Sequence, residues 1–297
     1  MKSRAKFIIG FLILLVIIGV YESKNGVIEV FNSKEHTSDV NLRGKYIENG
    51  MPQVVAQAAL TLEVDNNKII YAKNIHNRMY PASTTKLLTA QVFADSEPEN
   101  GKIVYTKDAK AEPENKIGLK VGQILTADQA MNAMLIYSAN DIAEAIGENV
   151  SQNINKFSDK MNEKASELGL KESHFVNANG LPNSNHYTTA YDLSIIAKNI
   201  YRYKWIMNVI SKKTYDLKVG DRNINITNTN KLLDVNGCVA GKTGYTSEAG
   251  KCLVAYYERN NKRMIGIVLG SANDDSVDSD MEKIINWSYK QTDKNGL

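Results

Sequence analysis

Apolar residues near both ends of the chain follow the pattern of β-strands. The segments 58–65 and 68–72 flank the turn residues Asn66 and Asn67, which predicts a β-hairpin. The same texture returns late in the chain, where three consecutive antiparallel strands are predicted at 238–244, 251–257 and 263–270. A helix is predicted to close the fold around 281–289. Strands at both ends predict a single antiparallel sheet assembled from both termini.

Helical spacing of apolar residues dominates the region between these strands. One helix is predicted to begin near Ser83, and the string Thr126-x-x-Gln129 resembles a capping box that opens another. Further helices are predicted at 141–150, 154–168 and 189–201. The fold class is therefore predicted as α+β, with a helix-rich lobe beside the sheet. A ligand cleft is expected between the two.

The first residues have the composition of an export segment. Lys2, Arg4 and Lys6 precede an apolar run over residues 7–20, as in the basic and apolar regions of a signal. The run is shorter than the roughly 20 residues of a membrane span, yet no Ala-x-Ala-like cleavage site follows it. We expect an anchor that is retained, with its basic end inside. The predicted organisation is a signal or membrane anchor, an extracytoplasmic spacer and a folded domain, over 1–21, 22–52 and 53–291.

Composition and charge narrow the class of protein. The chain has 297 residues, of which 43% are hydrophobic, and this is enough to form a sizeable core. Its 36 basic and 33 acidic residues leave a net charge of +3, which does not suggest a nucleic-acid surface. We therefore expect a folded extracytoplasmic protein without a nucleic-acid partner.

The cysteine and histidine residues do not indicate a metal or cofactor site. Cys238 and Cys252 allow either a single disulfide or two small buried thiols, and the sequence leaves both possibilities open. The four histidines lack metal-ligand spacing and are interpreted as surface or satisfied residues: His36, His76, His174 and His186. We expect neither a metal nor a cofactor.

The first of three short strings that carry chemistry is Ser83-Thr84-Thr85-Lys86. At the start of a helix, residues three apart lie on one face, so the Lys86 amine can reach the Ser83 hydroxyl. A lysine whose pKa is lowered by burial and by a second cation can accept the proton of such a serine. An isolated Ser-x-x-Lys string is equally compatible with a solvated helix pair.

The second and third strings are Ser138-Ala139-Asn140 and Lys242-Thr243-Gly244. Ser138 can relay a proton and the Asn140 amide can hold a peptide carbonyl, although an ordinary helix cap at Asn140 or Asp141 is the alternative. In the third string, a strand glycine lets another backbone approach, while the lysine and threonine suit a peptide with a carboxylate end. Found in this order on these elements, the three strings favour a serine acyl-transfer site.

At these residues the chain, from about 55 to 290, resembles the D-alanyl-D-alanine carboxypeptidase family of low-molecular-mass penicillin-binding proteins. The flanking text agrees as well, in Tyr80-Pro-Ala-Ser-Thr-Thr-Lys, Ser138-Ala-Asn-Asp, Asn179-Gly-Leu-Pro, Asn228-Thr-Asn-Lys-Leu-Leu and Gly241-Lys-Thr-Gly-Tyr-Thr-Ser-Glu-Ala-Gly. The resemblance implies a β-lactamase/DD-peptidase-like fold and an acyl-enzyme on Ser83 that water then hydrolyses.

The resemblance also implies the partners and the site. The substrate would be a peptidoglycan stem pentapeptide that loses its terminal D-alanine, and β-lactams would acylate Ser83 as covalent inhibitors. Catalytic roles would fall on Ser83, Lys86 and Ser138. Substrate-binding roles would fall on Asn140, Lys242, Thr243, Gly244, Tyr245 and Thr246, and the backbone N–H groups of Ser83 and Tyr245 would hold the oxyanion.

The chain departs from the family near the start of its last helix. Relatives usually carry an arginine there for the substrate carboxylate, whereas this chain has an acidic run over 274–280. The run would either repel the carboxylate or turn outward to solvent. Two alternative functions are a β-lactamase, although no Glu-x-x-Leu-Asn string occurs at 160–185, and a non-catalytic wall-binding module. The presence of both Ser83 and Lys86 argues against the module.

Overall fold

The computed structural model describes residues 50–294, and its main sheet combines strands from both ends of the chain. The strands are β1 (Ala58–Glu63), β2 (Lys68–Lys73), β3 (Lys102–Val104), β4 (Ile124–Thr126), β5 (Thr214–Val219), β6 (Arg222–Thr227), β7 (Cys238–Thr246), β8 (Gly250–Arg259) and β9 (Lys262–Ser271). Five of them form an antiparallel sheet in the order β2-β1-β9-β8-β7. The predicted architecture is therefore correct, and β7 lies at one edge of the sheet.

Helices occupy the middle of the sequence, and a further helix comes after the last strand of the sheet. They are α1 (Lys86–Ser96), α2 (Lys107–Ala111), α3 (Ala127–Ile136), α4 (Asn140–Ser151), α5 (Ile154–Glu167), α6 (Ala190–Asn199), α7 (Lys204–Ile210) and α8 (Asp274–Lys294). The predicted capping box opens α3, because the Thr126 side chain accepts from Gln129 N and the Gln129 side chain accepts from Thr126 N. The closing helix α8 begins earlier than predicted.

The sheet is covered on both faces. Thr61 and Gly266 lie opposite each other on the face that packs against α8, where Thr61 Oγ1 is 2.7 Å from Ser288 Oγ. On the other face, the Tyr256 hydroxyl donates to the Ala197 carbonyl of α6 at 3.1 Å. Strands covered on both sides bury nearly every residue, which is why β1 and β9 appear in the sequence as continuous apolar runs.

The two cysteines are buried free thiols. In the β7–β8 hairpin, Cys238 pairs with Tyr257 whereas Cys252 pairs with Gly244, six positions further along the ladder. That separation corresponds to about 20 Å, well beyond the reach of a disulfide. Of the two possibilities that the sequence left open, the structure has the buried thiols.

The predicted anchor and nearly all of the predicted spacer lie outside the described residues. Between residues 50 and 294, none of the helices combines the length and the apolar character that a membrane crossing requires. The described residues from Pro52 onward belong to one compact unit.

Candidate active site

Ser83 lies in a tight turn that leads into α1. Residues Ala82–Thr85 form a 3₁₀ turn, and the α-helix begins only at Lys86, slightly later than the sequence predicts. Ala82 has a φ of +47°, a conformation that costs free energy in a residue with a side chain. In a 3₁₀ turn, residues three apart eclipse each other. The Ser83 and Lys86 side chains therefore project together, and Ser83 Oγ lies 2.8 Å from Lys86 Nζ.

Lys86 is completely buried, and three oxygens surround its amine. Besides Ser83 Oγ, Lys86 Nζ contacts Asn140 Oδ1 and the Asn179 carbonyl oxygen, each at 2.7 Å. A neutral amine has two N–H donors and one lone pair. The two donors match the amide and carbonyl oxygens, which leaves the lone pair directed at the Ser83 hydroxyl. The geometry therefore suits an amine that accepts the serine proton.

The electrostatics of the site favour a neutral Lys86. Burial, followed by the positive charge of Lys242, lowers the pKa of Lys86 well below its usual value. Burial also lowers the pKa of Lys242 to about 7. Two buried amines in one site cannot both carry a proton at low cost, so one of them is available as a base near neutral pH.

Ser138 joins the two lobes of the site. It sits in the turn between α3 and α4 with a φ of +67°, and Lys242 Nζ donates to its hydroxyl at 2.9 Å. Lys242 also donates to the carbonyl of Thr243 and is almost fully buried. The strained turn thus places one hydroxyl against the amine that the sheet contributes.

Asn140 does not act as a side-chain cap. The N-cap position of α4 is Ala139, which makes no capping bond, and Asn140 instead directs its oxygen to Lys86 and its nitrogen to the Glu114 carbonyl, 3.0 Å away. The neighbouring Asp141 accepts from Ile117 N and Gly118 N, so it fixes the loop that precedes β4. The alternative of an ordinary cap does not describe this pair.

The edge strand β7 passes directly beside the nucleophile. A Cβ added to Gly244 would lie 2.9 Å from Ser83 N, so only glycine permits this approach. Gly244 and the next residue, Tyr245, line the same cavity as Ser83. The Thr243 hydroxyl lies 2.6 Å from that of Thr229, a residue that the sequence analysis does not single out. Thr246 uses its hydroxyl to accept from Ala249 N in the β7–β8 turn.

Asn179 and Gly180 complete the floor of the site. The buried Asn179 supplies a carbonyl to Lys86, and its side-chain amide donates to Glu112 Oε2 at 2.9 Å. Gly180 has a φ of +89°, and a Cβ there would lie 1.9 Å from the Ala82 carbonyl oxygen. Any other residue would push the nucleophile turn away. The string Asn179-Gly-Leu-Pro marked this segment in the sequence, but not the contact between its carbonyl and Lys86.

Two cavities meet at Ser83. One, of about 530 Å³, is bordered by Ser138, Thr243 and the start of α8. The other, of about 420 Å³, is bordered by Asn140, Asn179 and Thr246. Ser83 and Tyr245 line both cavities. Ser83 therefore lies where the two cavities meet, with space for a ligand on either side.

A cluster of carboxyl groups lies where α2 packs against α4. Its members are Asp108, Glu112, Glu144 and Glu148. Burial, followed by the charges of Glu112, Glu148 and Asp108, raises the pKa of Glu144 to about 7. An acid whose pKa is higher in the folded state than in the unfolded state loses stabilisation as pH rises between those two values. Deprotonation of Glu144 should therefore destabilise the fold between about pH 4.5 and pH 7.

Glu144→Gln should remove this dependence, because glutamine imitates the protonated acid at every pH. We expect the variant to match the wild-type Tm at pH 5 and to exceed it by several degrees at pH 8, as measured by calorimetry. Glu163→Gln, which changes an exposed acid on α5, is the matched control. Parallel Tm profiles for the wild type and Glu144→Gln would show that Glu144 is not the group responsible.

Comparisons with known proteins point to one family. The family model described as D-alanyl-D-alanine carboxypeptidase, Peptidase S11, matches residues 46–273. D-alanyl-D-alanine carboxypeptidase DacF of Bacillus subtilis is 32% identical over 250 residues, which cover 82% of this chain and 64% of DacF. DacA of Escherichia coli is 26% identical and covers 88% of this chain and 66% of its own length. The chain thus spans less than two thirds of the length of these curated relatives.

Solved structures give the same result for the fold. The Streptomyces K15 DD-transpeptidase superposes with a TM-score of 0.76 at 28% identity, covering 80% of this chain and 98% of that chain. Penicillin-binding protein D2 from Listeria monocytogenes, in its ampicillin-bound form, superposes with a TM-score of 0.72 at 28% identity. It covers 80% of this chain and all of its own. The predicted DD-peptidase-like fold is confirmed.

Proposed function

The chain belongs to the D-alanyl-D-alanine carboxypeptidase family, and from this membership we propose that it is a serine hydrolase that removes the terminal D-alanine from peptidoglycan stem pentapeptides. The observation that carries the proposal is the buried Lys86 amine 2.8 Å from Ser83 Oγ, with its other two contacts filled by oxygen acceptors. β-Lactams are the proposed covalent inhibitors, acylating the same hydroxyl.

In the acylation step, neutral Lys86 takes the proton of Ser83 while Ser83 Oγ attacks the carbonyl carbon between the two terminal D-alanines. The N–H groups of Ser83 and Tyr245 hold the negative charge that develops on the carbonyl oxygen. The C–N bond then breaks, and the departing amine needs a proton. Ser138 accepts a hydrogen bond from Lys242 Nζ, so its hydroxyl can pass a proton from this ammonium to the amine.

In the second step, water attacks the ester carbonyl, and Lys242, which the first step left neutral, accepts a proton from this water through the Ser138 hydroxyl. As the ester breaks, the protonated Lys86 returns its proton to Ser83 Oγ, and the shortened peptide is released. No metal takes part in either step that we propose.

The remaining predicted residues have binding roles in this proposal. Asn140 holds a substrate carbonyl beside Lys86, and Thr243 offers its hydroxyl to the leaving residue. Gly244 and Tyr245 let the substrate backbone lie along the edge of β7. Thr246 lines the cavity of about 420 Å³, where the retained part of the peptide would bind.

The proposed substrate lies outside the cytoplasm, so we place the enzyme there as well. Residues 1–21 would serve as signal or membrane anchor, 22–52 as spacer, and 53–291 as the catalytic domain. The charge balance gives no reason to add a nucleic-acid partner.

The test is the mass of the intact protein after incubation with benzylpenicillin, combined with D-alanine release from a stem pentapeptide. We expect one covalent adduct, mapped to the peptide that contains Ser83, and measurable D-alanine release. A protein that forms no adduct and releases no D-alanine would contradict the proposal and would favour a wall-binding module.

Hydrolysis of a chromogenic cephalosporin separates the peptidase from a β-lactamase. Among residues 50–294, no carboxylate hydrogen-bonds Ser83 or Lys86, so no carboxylate base is arranged beside the ester to activate water. We therefore expect slow turnover of the cephalosporin. Fast turnover without D-alanine release would instead favour the β-lactamase.

A further inference from the structure

Three charged side chains form a cluster at the end of the larger cavity. Asp274, the first residue of α8, lies 3.1 Å from Lys231 Nζ through one carboxylate oxygen and 2.7 Å from Lys251 Nζ through the other. All three residues line the cavity of about 530 Å³ that reaches Ser83. We call these residues the lysine–aspartate triad. With two positive charges and one negative charge, the triad has a net charge of +1.

Lys251 is the more firmly held of the two lysines. It lies opposite Tyr245 in the β7–β8 register, and its Nζ is 4.1 Å from the centre of the Tyr245 ring. Its side chain is 27% exposed, against 64% for Lys231. An ammonium fixed between an aromatic face and a carboxylate loses little further entropy when an anion binds. The site is therefore prepared for an anion before substrate arrives.

The position of the proton donors shows which part of the substrate reaches this cavity. In the proposed reaction the departing amine takes a proton from Ser138, and Ser138 lines the cavity with the triad. The leaving residue must therefore lie in this cavity, and in a carboxypeptidase substrate that residue has a free carboxylate. Among the described residues lining this cavity, only Lys231 and Lys251 are cationic.

The acidic run over 274–280 repels an anion less than its sequence suggests. Asp274, Val277 and Asp278 line the cavity, so this part of the run does not turn outward, which was one of the two alternatives that the sequence left open. Asp274 is already paired with two lysines, which lower its pKa. Burial raises the pKa of Asp278, so its charge is more easily neutralised beside an incoming carboxylate. No residue of α8 is an arginine.

We propose that the lysine–aspartate triad, chiefly through Lys251 Nζ, binds the carboxylate of the leaving residue and so selects substrates with a free carboxyl terminus. This proposal rests on the proposed function. Lys251 is assigned as a specificity-determining residue and Asp274 as the residue that positions it. A lysine acts as a point charge on one carboxylate oxygen, without the paired bonds of an arginine.

The test compares two substrates: a peptide ending in D-Ala-D-Ala with a free carboxylate, and the same peptide with a terminal carboxamide. The wild type should prefer the acid in kcat/KM. Lys251→Met should lower the ratio of acid to amide about 10- to 100-fold, the usual worth of one charge-assisted hydrogen bond. The loss should appear mainly in KM. Lys251→Arg should retain most of the preference.

The matched control is Lys213→Met, which removes an exposed lysine paired with Asp234 outside both cavities. It should leave the ratio unchanged. A second measurement needs no variant: the wild-type KM for the acid should rise with sodium chloride, while that for the amide should not.

An unchanged ratio in Lys251→Met would overturn the assignment, as would an equal loss for both substrates, which would indicate a structural role. Insensitivity of the wild-type KM to salt would count against it too. A wild type that turns over neither substrate and forms no penicillin adduct would instead refute the proposed function, so the two failures are distinguishable.

Discussion

Ser83→Ala should give a folded protein that has lost D-alanine release by at least about 10⁴-fold, the scale on which removing a nucleophile acts in serine hydrolases. Alanine leaves the turn intact, because no structural hydrogen bond depends strongly on the hydroxyl. Apart from Lys86, the hydrogen-bond partner of the Ser83 hydroxyl among the described residues is the Asn179 carbonyl oxygen, at 3.5 Å. Benzylpenicillin should form no covalent adduct with this variant by intact mass.

The control is Ser211→Ala, which removes an exposed hydroxyl whose one hydrogen bond within residues 50–294 is to the Asn208 carbonyl. It should be acylated at the wild-type rate. If benzylpenicillin still acylated Ser83→Ala on the peptide that contains position 83, or if D-alanine release were undiminished, another group would be the nucleophile.

Lys86→Met should lower the acylation rate by about 10²- to 10⁴-fold, the usual contribution of a positioned general base. Methionine fills much of the buried volume, but it leaves Asn140 Oδ1 and the Asn179 carbonyl oxygen without the Lys86 donor, so heat should unfold the variant at a lower temperature, by an amount equivalent to about 1–3 kcal/mol. The measurement is the rate of benzylpenicillin acylation, followed by intact mass.

Lys86→Arg separates a base from a fixed positive charge. Guanidinium keeps its proton at any accessible pH and cannot accept one from Ser83. We expect this variant to be as slow as Lys86→Met, provided that its Tm shows a folded protein. An arginine variant that keeps the wild-type rate would mean that Lys86 serves only as a cation.

The sequence predicts most elements of the fold for reasons that particular residues make clear. The capping box at Thr126 depends on contacts between neighbouring residues, which a sequence shows directly. The strands β1 and β9 are buried on both sides, and this leaves continuous apolar runs in the sequence. The hairpin β5–β6 is not predicted. Most of its residues are exposed or half-buried and polar, and the turn at Gly220 and Asp221 is its clearest signal.

The site, too, has a part that the sequence predicts and a part that it does not. The three strings name side chains whose chemistry is visible in a sequence. The structure brings them together as two hydrogen-bonded groups, Lys86 with Ser83 and Asn140, and Lys242 with Ser138, and Ser83 and Ser138 line the same cavity. The Asn179 carbonyl could not be predicted, because every residue has one. The pairing of Asp274 with two lysines could not be predicted either, since the three residues belong to separate segments of the chain.

The placement of β1 next to β9 has a consequence for when activity appears. These strands lie some 200 positions apart in the chain, and one further hydrogen bond joins Ala56 N to Asp280 across a separation of 224. Contacts between such distant segments form late in folding. While the chain is being synthesised, Ser83 emerges long before the strand that carries Lys242. On the proposed function, the Ser83 hydroxyl should therefore become reactive only after the carboxyl-terminal segment has joined the sheet.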